Sequence, residues 1–421
     1  MVLHENSFVG RLHSRCNRAV SPHRTTPAAP LPPWMIGLAG LLSLAVAMGI
    51  GRFAFTPLLP LMLQAGQLDV GAGGWLAAAN YVGYLVGALT ASRTGWPAAR
   101  LALVALVGTA LLTAAMALGG PVPWLAALRL LAGIASAWAF VATSIWCLAA
   151  LAAHGATPWA SALYAGVGLG IAVAGLDCLV GASAGWSADA LWIQLGVLAA
   201  LLVAPVAWVL VRLPAAPTGR AAGAPAPLPA GSRGLVAAYA MLGFGYILPA
   251  TFLPAMARTL VDDPRLFGLA WPAFGATAAL STLVAARALR RLPRLQLWAA
   301  AHVLMGLGVL LPSLWLTGWS IAASALLVGG TFMVVTLAGV QEIRARAQGD
   351  ATRLVGWMTT AFALGQIAGP VASALLLRLA PAHGLDLALQ AGAASLFASA
   401  AWLWRAAPCP ASPSPETLHA R

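Results

Sequence analysis

Arg52 stands in the stretch GIGRFAFTPLLP, residues 49–60, inside an apolar run that starts at Trp34. An arginine cannot shed its charge in a protein. Placing that charge in hydrocarbon costs about 2.5–3.5 kcal/mol on insertion scales, so such a residue normally faces a bundle interior or a wet cavity. In the same half, two more charged groups lie well inside apolar runs, Arg129 and Asp177. Arg52 comes 10 residues before Met62, Arg129 comes 7 after Val122, and Asp177 comes 4 before Gly181. At about 1.5 Å per residue these depths agree within roughly 10 Å. The chemistry open to this set is binding rather than bond-making. Asp177 is expected to pair with Arg129 or Arg52, whose charge keeps it ionised, while substrate or a proton competes for the same charges. Plainer readings stay open beside this one. Arg52 locks helices in a structural ion pair or snorkels outward, and Asp177 faces water where its helix ends early.

Neutral polar and aromatic groups suit the wall of a small-molecule site, which is mostly apolar with a few placed polar groups. Asn80, Tyr81 and Tyr84 lie on the second run, Tyr246 on the seventh, Trp271 and Phe274 on the eighth, and Gln366 on the eleventh. Asn80 and Gln366 serve equally as hydrogen-bonding glue between helices, and the aromatics of the eighth run as packing. His302 reads as a hydrogen-bonded packing histidine before it reads as a proton relay. Glu342 has Arg346 at i+4 and reads as half of a surface pair, and Asp386 reads as interfacial. Cys16, Cys147, Cys178 and Cys409 make neither a CxxC pair nor a cluster with histidine, so no metal, cofactor or disulfide framework is expected. GVGLG at 166–170 follows no strand, which rejects a nucleotide loop, and no GxxxxGK[ST] segment for ATP occurs. Gly83 and Gly87, Gly166 and Gly170, and Gly365 and Gly369 are spaced by four. Each pair clears one helix face for close backbone approach, for static packing or for sliding.

The elements that must position these groups are membrane helices. Of 421 residues 61% are hydrophobic and only 8% are charged, with a mean hydropathy of +0.87. A soluble domain carries about 25% charge. A net charge of +13 would suggest nucleic acid in a soluble chain. Here the basic residues are all arginines that mark loops, which excludes that partner. Twelve runs reach the roughly 20 apolar residues a spanning helix needs. They cover 34–62, 73–92, 100–119, 122–151, 157–181, 187–211, 235–257, 267–290, 294–313, 319–343, 353–380 and 383–405. Residues 212–234, rich in Pro, Ala and Gly, read as a cytoplasmic linker between six-helix bundles at 34–211 and 235–405. Tails at 1–33 and 406–421 flank them. No short apolar core with a cleavage site precedes Trp34, so 1–33 reads as a tail rather than a signal peptide. With the N-terminus inside, 18 arginines fall in inside segments and only Arg258, Arg265 and Arg378 outside. That positive-inside asymmetry puts both termini in the cytoplasm.

The two halves repeat. GIGRFAFTPLLPLM at 49–62 overlies GFGYILPATFLPAM at 243–256 with a shift of 194, which sets Tyr246 where Arg52 stands. At nearly the same shift AGVGLGIAVAG overlies TAFALGQIAGP. GIGRFAFTPLLPLM, GWLAAANYVGYLVGAL (74–89), GGTFMVVTLAG (329–339) and TTAFALGQIAGP (359–370) occur in that order. Together they resemble the YbfB/YjiJ-like branch of the major facilitator superfamily, from about 36 to 400. The resemblance implies an all-α integral membrane protein of twelve helices in two six-helix bundles, rocking between inward and outward states around a site near the midplane. It also implies that helices 2, 5 and 11 line the interface between halves, so that the glycine pairs act as bearing faces. The branch supplies no substrate. The loop LTASRTGWPAAR (89–100) keeps Arg93, Gly95 and Arg100 of the wider superfamily pattern, but Ser92 stands near the expected acid; LRLLAGIASA keeps Arg129 and Gly133 at the usual spacing.

The sequence therefore predicts a monomeric secondary transporter of a bacterial-type inner membrane, embedded in the lipid bilayer and not an enzyme. It moves a small organic solute by alternating access, coupled to protons, in the export direction. Two arginines against one acid favour an anionic or polar solute. The rival readings are a polytopic membrane enzyme and a non-transporting sensor. An enzyme would need a His, Asp or Cys cluster at one surface, and a sensor a sizeable output domain; neither is present in the sequence.

Overall fold

The structure is a computed structural model that describes residues 31–156, 159–213, 231–258, 264–289, 291–347, 351–380 and 382–407. Most of the expected tails and linker, with Cys16 and Cys409, lies outside the described residues. Among the described residues twelve helices follow one another: α1 Pro33–Gln64, α2 Val70–Ala91, α3 Ala98–Ala115, α4 Val122–Ala153, α5 Ala160–Ser183 and α6 Ala188–Arg212, then α7 Ser232–Arg258, α8 Pro264–Ala288, α9 Arg294–Leu314, α10 Gly318–Arg346, α11 Thr352–Leu379 and α12 Gly384–Ala406. Gly95 turns the chain between α2 and α3 at φ 65, a conformation that needs glycine. Eleven of the helices are long and apolar enough to cross a bilayer. The exception is α2, whose glycines, Asn80, Tyr81 and Tyr84 lower its hydropathy; Asn80 and Tyr84 turn inward and are buried. Large apolar side chains such as Leu111, Leu201, Val211 and Leu280 cover the outer surface, which suits lipid and not water.

Lipid tails are as apolar as leucine, so helices in a membrane associate by close packing rather than by escape from water. The predicted glycine pairs supply that packing, but inside each half. Gly83 of α2 lies on the Leu130 carbonyl of α4 and Gly87 beside Ile134. On α5, Gly166 lies on Leu41 and Gly170 on Ala45, both from α1. On α11, Gly365 lies on Ala240 and Gly369 beside Ile247, both from α7. The expectation that these six glycines form bearing faces between the halves is therefore corrected. Spacing by four marks one smooth face of a helix but does not say which neighbour it meets. The halves meet instead along α5 with α8 and α2 with α11. A β-carbon on Gly275 of α8 would sit 2.6 Å from the Gly168 carbonyl oxygen of α5, and one on Gly175 would sit 2.9 Å from the Pro272 ring. Gly168 falls two residues from Gly166, about 200° round the helix, so the GVGLG run gives α5 a smooth face on each side.

The first helix is not continuous. It runs as α-helix over Pro33–Leu44, widens to a π-turn over Ala45–Ile50, and resumes as α-helix over Phe55–Gln64. The π register is visible in Gly51 N–H, which donates to Val46 O at 2.9 Å, and in Phe53 N–H, which donates to Met48 O at 3.0 Å. The break lies just before Pro57 and Pro60, and Pro57 accounts for part of it. Having no N–H, Pro57 cannot bond the Phe53 carbonyl. Thr56 N–H takes that oxygen at 3.2 Å, and the Arg52 carbonyl is left for a side chain. Arg52 thus sits in the irregular turn between two helical pieces.

Candidate substrate site between the halves

Two side chains of α4 satisfy the carbonyls that the break releases. Arg129 donates from Nη1 to Gly51 O at 3.2 Å and from Nη2 to Arg52 O at 3.1 Å. Ser136 Oγ donates to Ala47 O at 2.7 Å. Asn80 Nδ2 donates to the Arg129 carbonyl at 3.0 Å and ties α2 to the same point. Arg129 also lies over the Phe55 ring, 4.8 Å from its centroid. This cluster fixes the path of the main chain and so the direction in which Arg52 leaves it.

The Arg52 side chain crosses the middle of the molecule. Its Nη2 donates to Gln366 Oε1 on α11, a hydrogen bond from one half to the other. Its guanidinium carbon lies 3.8 Å from the centroid of the Tyr84 ring, a cation–π contact that helps hold the charge away from water. Only 3% of Arg52 and none of Gln366 is exposed. Arg52 Nε and Nη1 and Gln366 Nε2 have no partner, nor does the Tyr246 hydroxyl or Trp271 Nε1. Tyr246 occupies the Arg52 position of the second half and is fully buried. Stacked rings join these groups. Trp271 stacks on Phe274 at 5.3 Å, Phe274 on Phe332 at 5.4 Å, and Phe332 on Tyr246 at 5.1 Å, while Phe53 meets the edge of Trp271 at 6.2 Å. A buried polar group without a partner costs about 1–3 kcal/mol. Five such groups gather around one set of rings, which makes this the candidate site.

A sequence model of the family described as "Uncharacterised MFS-type transporter YbfB" matches residues 44–403. The chain belongs to this family of the major facilitator superfamily. The crystal structure of the human organic anion transporter MFSD10 (TETRAN) superposes with a TM-score of 0.69 at 17% identity, covering 89% of this chain and 100% of that one. At that identity the likeness shows the fold alone. No curated protein sequence matches the chain.

The remaining predicted groups of the transporter lie apart from this centre. Asp177 is half-buried on α5 and accepts from Gln194 Nε2 of α6 at 2.6 Å. Its expected ion pair with Arg129 or Arg52 is not formed among the described residues. Depth was not the obstacle. Asp177 stands about 200° round α5 from Gly175, which meets the other half, so it turns towards α6. His302 accepts from Trp298 Nε1 at 3.1 Å on Nε2, which leaves the proton on Nδ1 to donate to Ser399 Oγ at 3.0 Å. This is a neutral packing histidine between α9 and α12. Glu342 pairs with Arg346 at 2.8 Å and with Arg294 at 3.3 Å.

At the end where α4 and α10 finish, Arg344 Nη1 of α10 donates to Ser144 O of α4 at 3.4 Å, and Tyr164 Oη donates to Ser144 Oγ at 3.2 Å. Arg344 thus bridges the two halves at this end. Ser136, Phe332 and Phe362, whose ring stacks on Tyr246 at 6.2 Å, were not singled out from the sequence. Phe332 and Phe362 lie inside two of the four motifs that carry the family resemblance, where a lone aromatic in an apolar helix gives no sign of its own.

Proposed function

We propose that the chain moves a small organic solute across a bacterial-type inner membrane by alternating access, with both termini in the cytoplasm. The observation that carries this reading is the bond from Arg52 of α1 to Gln366 of α11. It joins the two halves at the buried centre, where a bound solute would replace or share it and so bias the rocking of one half on the other. The idle donors and the two arginines favour an anion. MFSD10, similar in fold, is titled an organic anion transporter, which agrees with this choice.

Export follows from the charge. A membrane potential that is negative inside favours expulsion of an anion by about 2.3 kcal/mol per charge per 100 mV. Proton coupling, in antiport, adds to the same direction. Asp177 is the acid placed well within a span of the first half, and one of its carboxylate oxygens has no partner, so it is the residue assigned to the proton. Flux of a solute library into and out of proteoliposomes, with a pH gradient and a potential imposed separately, tests the reading. A solute that moves with either gradient supports it, and no flux for any solute contradicts it. Asp177→Asn is expected to remove the pH dependence and keep the potential dependence; an unchanged pH profile would release Asp177 from the coupling role. A membrane-impermeant thiol reagent on intact cells should miss Cys16 and Cys409, and labelling of either from outside would reverse the orientation.

A further inference from the structure

We infer that the central site takes an aromatic carboxylate, its carboxylate on Arg52 and its ring among the stacked aromatics. The inference rests on the transport reading above and names the substrate class of that same site. The sign of the idle hydrogen-bonding groups is the first observation. Arg52 Nε and Nη1, Gln366 Nε2 and Trp271 Nε1 are donors only, and the Tyr246 hydroxyl donates or accepts. A ligand that satisfies them must bring acceptors, and an amine would bring more donors to a site that already carries positive charge.

The acids among the described residues are engaged elsewhere. Asp69 caps α2 through Ala72 N–H, Asp177 holds Gln194, Asp189 accepts from Gln67, Glu342 pairs with two arginines, and Asp386 sits in the first turn of α12. None is within ion-pair distance of Arg52 or Arg129. Arg129 spends its two Nη groups on the carbonyls of the α1 break. Arg129 keeps only Nε idle, whereas Arg52 keeps Nε and Nη1 and is the guanidinium with more N–H groups to give. A carboxylate has two oxygens, so one ligand accepts from Arg52 of α1 and from the Gln366 amide of α11 together, and its charge is met from both halves.

The ring geometry is the second observation. Trp271 and Phe274 are inclined by 5°, Phe274 and Phe332 by 27°, and Phe332 and Tyr246 by 14°. Rings stacked face on face in this way form one column whose inner faces cover each other, so a planar ligand ring finds its offset-stacking partner at the partly exposed Trp271 end, a gain that a puckered ring of the same size does not make.

Thermal unfolding of the purified full-length protein with benzoate, benzamide, cyclohexanecarboxylate and benzylammonium tests both halves of the inference. Benzoate is expected to bind at least tenfold more tightly than each of the other three. Arg52→Gln should erase the preference for benzoate over benzamide, and Trp271→Leu the preference for benzoate over cyclohexanecarboxylate. Gln366→Leu keeps the charge and should weaken benzoate about tenfold, so the inference stays testable if Arg52→Gln does not fold. Benzamide or benzylammonium binding as tightly as benzoate, or no binding of benzoate by the wild type, overturns it. Selective benzoate binding without flux in proteoliposomes keeps this site and removes the transport reading. Flux of a neutral or cationic solute without benzoate binding keeps transport and removes the aromatic carboxylate.

Discussion

Tyr246 buries a hydroxyl that no protein group meets. If that hydroxyl serves a ligand, Tyr246→Phe should leave the unfolding midpoint unchanged or slightly raised, because an unsatisfied group is removed at a gain of about 1 kcal/mol. Substrate binding should weaken about tenfold in the same variant. A loss of stability with unchanged binding would assign the hydroxyl to packing. Arg129 predicts the opposite pattern. Arg129→Met leaves the Gly51 and Arg52 carbonyls without their donors, at about 1–3 kcal/mol each, and should lower the unfolding midpoint as well as transport. Unchanged stability would show that Arg129 does not hold the α1 break. Arg52 was legible as a residue with a task because a permanent charge inside an apolar run has few excuses. Gln366 was named as a wall residue, but its pairing with Arg52 was not legible, since it lies 314 positions away on a helix of the other half. The assignment of Asp177 to that centre failed for a similar reason: depth along a helix can be counted from sequence, but the direction in which a side chain leaves the axis depends on the neighbours.

At the scale of helices, the glycines separate folding from motion. A β-carbon on Gly83 would strike the Leu130 carbonyl inside one half, so Gly83→Val should reduce the amount of folded protein in the membrane. Gly275 meets Gly168 across the two halves. Gly275→Val should insert and fold, yet lose transport by at least tenfold, because it changes the contact that must slide. Size-exclusion profiles with flux per folded molecule distinguish the two, and equal folding losses in both variants would deny α5 and α8 the role of a moving contact. Sequence alone located all twelve helices: eleven are long apolar runs between polar turns, and α2 is a run of spanning length with a lower hydropathy. The π-turn in α1 carried no such signal beyond Gly49, Gly51 and Pro57, because a change of hydrogen-bond register over six residues leaves the apolar pattern intact.

For the whole molecule, closure at one end and alternation about the centre make a linked claim. Gly356 of α11 stands beside the Ala88 carbonyl of α2, 3.6 Å from where its β-carbon would be. Ala88→Cys with Gly356→Cys in a cysteine-free background should cross-link with a short thiol reagent and stop flux, with recovery on cleavage of the cross-link. Flux that persists in cross-linked protein would mean that this end does not open. The two-bundle arrangement was legible from the 194-residue repeat and the arginine count, whereas closure depends on contacts between residues far apart in the chain, such as Arg344 with Ser144. The most direct measurement is flux of radiolabelled benzoate into proteoliposomes under an imposed potential, for wild type and for Arg52→Gln shown to be folded by its unfolding midpoint. The account predicts that an inside-positive potential drives benzoate accumulation in the wild type, at a rate at least tenfold above that of Arg52→Gln. Equal rates in the two proteins, or wild-type flux indifferent to the potential, would contradict it.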